Sequence, residues 1–282
     1  MAYRTLRWSV RDGVATVTLH RPEQRNAFIR EMGNELSQVY RRCDADDDIR
    51  AVVLTGTPPA FCAGADLGAG AGTFDAPGAG FSAAGIKLPA WRVRKPVIAA
   101  VNGHALGIGL TLALQCDLRI MAADAKYGVL QVRRGMVGDA YSHWTLPRLI
   151  GMSRAAYLLL TGATVDGHRA HDLGLCLEVL PADQVLDAAL ALAHDIADNT
   201  APVSVAASKR MLWSSFEHDA ARIGELETEA HLLLMGEPDA REGVRAYLQR
   251  RTPEWTGRAS ELPDLDQPRC EPTNDAAPQP DR

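Results

Sequence analysis

The sequence predicts an α/β fold, because short apolar runs typical of buried strands alternate along the chain with helical segments. The strand-like runs are bounded by Gly, Pro or Asp, which suits strands buried in a parallel sheet. The chain has 282 residues, which is long enough to bury a sizeable core in one large domain or two small ones. We therefore expect a globular protein in which sheet and helices pack together.

In the first part of the chain, residue spacing predicts one strand and one amphipathic helix. Residues 14–19, VATVTL, alternate Thr with apolar side chains, which is the period of a half-buried strand. Apolar residues then recur at steps of three and four over residues 28–43, which predicts a helix with one buried face. That face consists of Phe28, Met32, Leu36, Val39, Tyr40 and Cys43.

Later segments continue the alternation of strands and helices. Short runs rich in β-branched or apolar residues predict buried strands at residues 49–56, 96–103, 116–123 and 175–180. Helices are predicted at residues 107–115 and 182–199, and residues 202–250 are strongly helical. The expected organisation is a core of residues 1–200, followed by a helical region of residues 201–258.

Two segments differ in composition from the rest of the chain. Residues 68–85, GAGAGTFDAPGAGFSAAG, are rich in Gly and Ala and keep no sustained period. A loop of this length in a compact domain is usually a functional lid or a disordered linker, and we expect a mobile loop. Residues 259–282 carry repeated Pro and acidic residues with little to bury, which predicts a disordered tail.

The composition argues against several classes of function. Lys and Arg number 30 against 35 Asp and Glu, and no basic stripe is long enough to bind a nucleic acid backbone. The chain has neither a signal peptide nor a run of about eighteen apolar residues, so we expect a cytoplasmic protein without a membrane span. Five cysteines occur without C-x-x-C pairs, so neither a disulfide framework nor a zinc site is predicted.

Two stretches of small residues, 62–73 and 101–117, each follow a predicted strand. Gly and Ala leave the backbone N–H groups uncovered and let another molecule approach closely. Two such turns can present two N–H groups to one oxygen atom, as an oxyanion hole requires. Tight packing is the alternative for each turn taken alone. Neither stretch has the G-x-G-x-x-G pattern of a dinucleotide site.

Several motifs in this order give the chain a resemblance to the crotonase, or enoyl-CoA hydratase/isomerase, superfamily from about residue 5 to about residue 258. The matching segments are HRPEQRNAF at 20–28, FCAGADL at 61–67, and the longer stretches 95–128 and 146–181. The resemblance implies a crotonase-like ββα spiral core with a C-terminal helical trimerisation region. It also implies a homotrimer or a dimer of trimers. An acyl-CoA thioester is then the substrate, without a metal or a tightly bound cofactor.

The resemblance also assigns roles to individual residues. The backbone N–H groups of Ala65 and Ile108 are expected to form the oxyanion hole, and Ile108 stands where the family usually has a glycine. The side chain of Ile108 therefore adds bulk near the acyl group. The expected substrate and CoA contacts are Arg25, Ala27, Ala63, Asp66, Leu67, Gly107, Thr111 and Gln131.

The catalytic carboxylates are where the chain departs from the family's hydratases. Those enzymes use two glutamates, whose positions are Thr111 and Gln131 here, and neither residue can act as a general base. Asp139 occupies the position at which some isomerases of the superfamily carry a functional aspartate. We expect Asp139 to be the acid and base of an isomerase or hydratase-like enzyme. Two alternatives remain: Asp139 caps the helix that follows it, or the protein binds acyl-CoA without catalysis.

Overall fold

The computed structural model describes residues 3–75 and 81–263, and the predicted α/β class is confirmed. Residues 76–80 of the predicted mobile loop and residues 264–282 of the predicted tail lie outside the described residues. The described strands are β1 Leu6–Arg11, β2 Val14–Leu19, β3 Ala51–Gly56, β4 Ala60–Cys62, β5 Val97–Val101, β6 His104–Leu106, β7 Leu118–Ala122, β8 Tyr127–Gly128 and β9 Glu178–Leu180. The described helices are α1 Arg30–Ala45, α2 Ile108–Ala113, α3 Ser142–Ile150, α4 Met152–Thr161, α5 Gly167–Leu173, α6 Val185–Asn199, α7 Pro202–Ser214, α8 Ala220–Leu234 and α9 Pro238–Gln249.

The strands form two sheets that the chain visits in turn. The larger sheet has the order β1-β2-β3-β5-β7-β9, with an antiparallel β1–β2 pair and parallel pairs elsewhere. The smaller sheet has the order β4-β6-β8 and is parallel. The strands β3, β5 and β7 of the larger sheet are each followed directly by a short strand of the smaller one. This alternation is the ββα repeat that the resemblance predicts.

The core lies between the larger sheet and the helices that cover it. The helix α1 buries the predicted face, since Met32, Leu36 and Val39 have no solvent exposure. The helix α6 contacts β3, β5 and β7 through a row of alanines that includes Ala189 and Ala193. Small side chains four residues apart share one helix face, so they let α6 lie close to the strands.

A buried ionic cluster joins the C-terminal helices to the core. The Lys209 ammonium of α7 donates to the carbonyl oxygens of Ala90 and Lys95 at 3.0 and 2.9 Å, and lies 2.7 Å from the Asp117 carboxylate. Asp117 also accepts from the Trp213 indole N–H and from the Val97 N–H, both at 2.7 Å. Every polar atom of this pair therefore has a partner, which is the condition under which a buried charge is tolerated.

We expect Lys209→Met to destabilise the fold by about 1–3 kcal/mol, because it leaves the partly buried Asp117 carboxylate without its cation. Chemical denaturation at one fixed protein concentration measures the change. Lys126→Met is the matched control, since Lys126 is exposed and substitutions at such sites usually change stability by less than about 0.5 kcal/mol. Equal stability of the two variants would show that the Lys209–Asp117 pair adds nothing to the free energy of unfolding.

The folded chain extends further than the sequence predicted. Residues 259–261 form a 3₁₀ turn, Ala259 is buried, and the Ser260 N–H donates to Asp47 at 3.1 Å. The predicted start of the tail at residue 259 is therefore wrong, because Ala259 and Ser260 make specific contacts with the fold. Among the described helices, none is long and apolar enough to cross a membrane.

Candidate active site

The first turn of the candidate site runs from β4 through Gly64, Ala65 and Asp66. The Phe28 N–H donates to the Gly64 carbonyl at 2.7 Å, and the Asp66 N–H donates to the Phe28 carbonyl at 3.0 Å. This parallel bridge uses the groups on one side of the turn. The Ala65 N–H faces the other way and has no acceptor within residues 3–75 and 81–263.

The second turn lies between β6 and α2, at Gly107 and Ile108. Gly107 has φ 52° and ψ −125°, a conformation that residues with a Cβ rarely adopt. Its N–H donates to the Gly128 carbonyl at 2.8 Å, whereas the Ile108 N–H finds no acceptor in the part of the chain that the structure describes. Each of the two predicted oxyanion positions therefore carries an unused donor.

Close backbone contact holds the two turns together. The strands β4 and β6 pair in parallel, and a Cβ on Gly109 would lie only 2.3 Å from the Cys62 carbonyl oxygen. A Cβ on Gly64 would lie 3.0 Å from the Leu106 carbonyl oxygen. The small residues of both stretches thus serve tight packing, and this packing also brings the Ala65 and Ile108 turns side by side. Tight packing and the presentation of two N–H donors, the two interpretations of these stretches, are therefore compatible.

The segment before α1 runs beside the first turn. The Ala63 N–H donates to the Arg25 carbonyl at 3.0 Å, and Ala27 is buried while the Arg25 and Leu67 side chains are exposed. Four of the predicted CoA contacts, Arg25, Ala27, Ala63 and Leu67, therefore lie along one edge of the site. Asp66 lies at the same edge.

Asp66 acts on the shape of the first turn. Its carboxylate accepts from the Gly68 N–H at 2.8 Å and forms a 2.8 Å ion pair with Arg21. The Gly68 N–H and then Arg21 lower the pKa of Asp66, so the carboxylate is ionised and occupied by partners from its own chain. Arg21, which also donates to the Ala27 carbonyl, was missed at the sequence level, because nothing in its spacing distinguishes it from other surface arginines.

Thr111, Gln131 and Asp139 lie close together. Thr111 is fully buried, and its hydroxyl donates to the Asp139 carboxylate at 3.0 Å. The Gln131 amide lies against Gly107, where a Cβ would be 3.5 Å from Nε2. Of these three side chains, Asp139 alone carries a carboxylate.

Burial raises the pKa of Asp139, and its contacts with Gln131 and Thr111 oppose this shift only in part. The Gln131 amide lies beside the carboxylate and favours its ionised form. By strict distance and angle its nitrogen and oxygen have no hydrogen-bond partner among the described residues, so this contact is a weak one. A carboxylate whose proton affinity is raised by burial is better suited to exchange protons near neutral pH.

The alternative that Asp139 caps a helix is wrong. The helix α3 begins at Ser142 after Tyr141, and no side chain caps it. Ala140 and Tyr141 instead have φ values of 44° and 65°, a strained pair directly after Asp139. The Ala140 N–H donates to the Ala83 carbonyl at 2.8 Å, which fixes this turn against the loop that precedes residue 86. Strained backbone of this kind is concentrated at functional sites.

Comparison with known proteins agrees with this geometry. A sequence profile described as enoyl-CoA hydratase/isomerase matches residues 9–258. The chain belongs to the enoyl-CoA hydratase/isomerase family. It is 36% identical to the 1,2-epoxyphenylacetyl-CoA isomerase of Escherichia coli, over 88% of this chain and 97% of the relative. It is 37% identical to the enoyl-CoA hydratase ACTT3 of Alternaria alternata, over 86% of this chain and 83% of the relative.

A solved structure supports the same assignment. The crystal structure of a probable enoyl-CoA hydratase/isomerase from Mycobacterium abscessus superimposes with a TM-score of 0.87 and 52% sequence identity. The match covers 90% of this chain and 99% of that protein. The crotonase-like fold of the present family member is therefore confirmed over nearly all of the described residues.

In this enoyl-CoA hydratase/isomerase family member, a pocket lies beside Tyr141, which follows Asp139 by two residues. Its lining is mixed: the apolar side chains include Phe28, Phe81 and Ile86, and the polar ones are Arg30, Asn34, Ser82 and Lys87. The Ile108 side chain reaches the same loop, since a Cβ on Gly85 would lie 2.9 Å from the Ile108 Cδ1 atom. The Ile108 side chain is therefore directed toward Gly85, within the loop that lines this pocket.

Aromatic packing connects the Asp139 turn of this crotonase-fold chain to the C-terminal helices. The Tyr141 and Trp91 rings meet edge to face at 4.8 Å, and Trp91 contacts Trp144 and Trp213 at 5.2 and 5.4 Å. Trp213 belongs to α7 and contacts Phe216 at 5.7 Å. Contacts of this type add to the stability that burial provides.

Two other ionisable groups that could serve a binding site have partners within the fold. The His104 Nδ1 atom accepts from the Lys126 N–H at 2.9 Å, and Arg251 forms a bidentate pair with Glu242. Over residues 3–75 and 81–263, no three His, Cys, Asp or Glu side chains are close enough to hold a metal ion.

Proposed function

We propose that this protein is an acyl-CoA-processing enzyme that moves a double bond within an enoyl thioester. The observation that carries the proposal is the Asp139 carboxylate, half-buried and hydrogen-bonded to Thr111 beside a turn with an unused N–H donor. The coenzyme A thioester is the substrate, and Arg25, Ala27, Ala63, Asp66 and Leu67 border the part of the site proposed to receive the CoA moiety.

In the proposed reaction, the thioester oxygen accepts hydrogen bonds from the N–H groups of Ala65 and Ile108. This polarisation stabilises the enolate that forms when a proton leaves carbon. The Asp139 carboxylate takes that proton and, as the acid, returns it to a carbon two atoms away. No atom is added to the substrate or lost from it. Proton transfer by one positioned carboxylate therefore suffices for an isomerase.

The names of the relatives divide between hydratases and isomerases, so the reaction is inferred from the side chains. A two-glutamate addition of water needs a second carboxylate, and Thr111 and Gln131 stand at the positions that would supply the pair. Hydratase-like chemistry with Asp139 as the sole base is the related possibility. The side chains at positions 111, 131 and 139 favour an isomerase over either form of hydration.

A binding protein without catalysis is the second candidate. It is favoured by Thr111 and Gln131, because neither side chain can act as a general base near neutral pH. Such a protein would keep the unused N–H donors of Ala65 and Ile108 and bind the thioester without converting it.

Assays with two kinds of substrate distinguish these functions. We expect purified protein to convert 3-enoyl-CoA thioesters to 2-enoyl-CoA thioesters, followed by absorbance, and to hydrate crotonyl-CoA slowly or not at all. Hydration as fast as isomerisation would instead support the hydratase-like reaction. Measurable binding of acyl-CoA with turnover of neither substrate would establish the binding protein.

We also propose that the chain assembles as a homotrimer or a dimer of trimers through residues 201–258. Several apolar side chains of α8, of α9 and of the turn between them are exposed in the single chain, among them Leu232, Met235, Val244, Tyr247 and Leu248. Exposed apolar patches of this extent usually mark an interface. Light scattering at micromolar concentration is expected to give a multiple of three chains, and a particle of one chain mass, 30.4 kDa, would contradict the proposal.

A further inference from the structure

The pocket beside Tyr141 carries two cations that have no counter-ion in the fold. Arg30 and Lys87 both line it and are both exposed, and neither side chain has an ion pair or a hydrogen bond within residues 3–75 and 81–263. Among the described residues, no Asp or Glu lines this pocket. The chain has a formal net charge of −5, so the pocket is opposite in sign to the protein as a whole. Two unpaired positive charges in one concave surface attract an anion.

The backbone segments that carry the two cations are fixed to one another. Arg30 is the first residue of α1, and the Lys87 N–H donates to the hydroxyl of Ser37, on the same helix, at 2.9 Å. A Cβ on Gly33 of α1 would lie only 2.1 Å from the Gly85 carbonyl oxygen, so the helix and the loop are in close contact. The two cations are therefore placed at one pocket before any ligand binds.

The remaining lining of the pocket suits a hydrocarbon chain. Phe28, Phe81 and Ile86 contribute apolar surface, and the cavity has a volume of about 570 Å³. Small-molecule sites typically combine apolar walls with a few polar groups in a cavity of this size. Guanidinium and ammonium groups pair with carboxylates through charge-assisted hydrogen bonds. An aliphatic chain that ends in a carboxylate therefore matches both parts of the lining.

This pocket lies on the side of the site where Ile108 and Asp139 are found. Gly85, which lines the pocket, is in close contact with the Ile108 side chain, and the Ala83 carbonyl accepts from the N–H of Ala140, directly after Asp139. None of the predicted CoA contacts is among the described residues that line it. Neither cation is among the groups that shift the pKa of Asp139, so their charges do not serve the proposed base.

We propose that Arg30 and Lys87 bind a carboxylate at the far end of the acyl group, so that the substrates are CoA thioesters of dicarboxylic acids. The inference rests on the proposed function, because it names the substrate class of the same site. Arg30 and Lys87 are specificity-determining residues in this view, and Asp139 remains the acid and base.

Binding of saturated thioesters tests the inference on the wild-type protein, because these compounds contain no double bond to move. Calorimetric titration compares hexanoyl-CoA with adipoyl-CoA, and octanoyl-CoA with suberoyl-CoA. Within each pair, the terminal methyl group of one compound is a carboxylate in the other. In at least one pair, the dicarboxylic member is expected to bind about tenfold more tightly, since two exposed ion pairs each contribute a few-fold. This advantage should shrink as the salt concentration is raised.

Substitutions at the two cations and at a third arginine complete the test. Arg30→Met and Lys87→Met should each reduce the advantage, and the double variant should abolish it while the affinity for hexanoyl-CoA and octanoyl-CoA stays in place. Arg30→Lys keeps a cation and should retain most of the advantage. Arg41→Met is the matched control, since Arg41 is exposed on the same helix and does not line the pocket, and it should leave the advantage intact.

The possible failures are distinguishable. Equal affinity within both pairs would overturn the inference alone, as would an advantage that survives the double substitution. Equal weakening of both members of a pair by the double substitution would show that the two cations meet a phosphate of CoA, which also overturns the inference. Failure of every CoA thioester to bind would overturn the proposed function, and the inference with it.

Discussion

Asp139→Asn is expected to lower turnover of a 3-enoyl-CoA by about a hundred- to ten-thousand-fold, the usual loss when a general base is removed. Asn keeps the size of the side chain and an oxygen that can accept from the Thr111 hydroxyl, so the site should keep its shape. Affinity for a non-reacting acyl-CoA is therefore expected to change little. Steady-state kinetics and calorimetric titration measure the two quantities separately.

The same substitution is expected to stabilise the fold near neutral pH. Burial raises the pKa of Asp139, so the native state binds this proton more tightly than the unfolded state does. The free energy of unfolding therefore decreases as pH rises from the pKa of Asp139 in the unfolded state through its raised pKa in the native state. Asn carries no charge, so the variant does not lose this stability. Thermal unfolding at neutral pH should show a higher midpoint for Asp139→Asn.

The pH dependence of the wild-type reaction provides an independent check on Asp139. The reaction needs the ionised carboxylate as base, so kcat should fall as pH decreases through the raised pKa, above the ordinary aspartate value of about 3.9. Asp124→Asn is the control, since Asp124 is exposed, and it should keep both the rate and the pH profile. Near-wild-type turnover by Asp139→Asn would exclude Asp139 as the base.

Gly109→Ala is expected to reduce turnover by about a hundredfold or more, because the added Cβ would lie 2.3 Å from the Cys62 carbonyl oxygen. Neither backbone can stay where it is, so the turns that carry Ala65 and Ile108 must separate. Overpacking of this kind also costs about 1–3 kcal/mol of stability. Kinetics at a temperature well below the unfolding midpoint distinguish a displaced site from a loss of folded protein.

Gly224→Ala is the matched control for this change. Gly224 lies within α8, and a Cβ there meets no atom within 4 Å. Alanine has the higher helix propensity, so this variant should gain up to about 1 kcal/mol of stability and keep full activity. If Gly109→Ala were as active as Gly224→Ala, the close approach of the two turns would have no role in catalysis.

The sequence predicted the long regular elements well, because each has enough residues to show a period. The strand predicted at 14–19 is β2, and the helix predicted at 28–43 is observed at Arg30–Ala45. The short strands β4, β6 and β8 were not predicted, because strands of two or three residues have no readable alternation. The strand β1 was also not predicted, although its residues alternate apolar and polar side chains.

The sequence pointed to individual residues of the candidate site, but not to the contacts between them. Ala65 and Ile108 lie within matching motifs, at 61–67 and 95–128, whereas Asp139 lies between two matching segments and was assigned from its position in the superfamily. The ion pair of Arg21 with Asp66 was not predictable, because the two residues are separated along the chain by the whole of α1. The strained turn after Asp139 also has no local signal, since Ala and Tyr rarely adopt positive φ.

The two unused donors belong to the backbone, and this has a consequence for protein engineering. The conformation of Gly64 and Gly107 orients them, and the side chains at positions 65 and 108 do not. Substitution of side chains near Asp139 is therefore expected to leave both N–H donors in place. A library that randomises residues 111, 131 and 139 together would sample different arrangements of acids and bases around the same two N–H donors. Such a library offers a route from double-bond migration to other reactions of the same enolate.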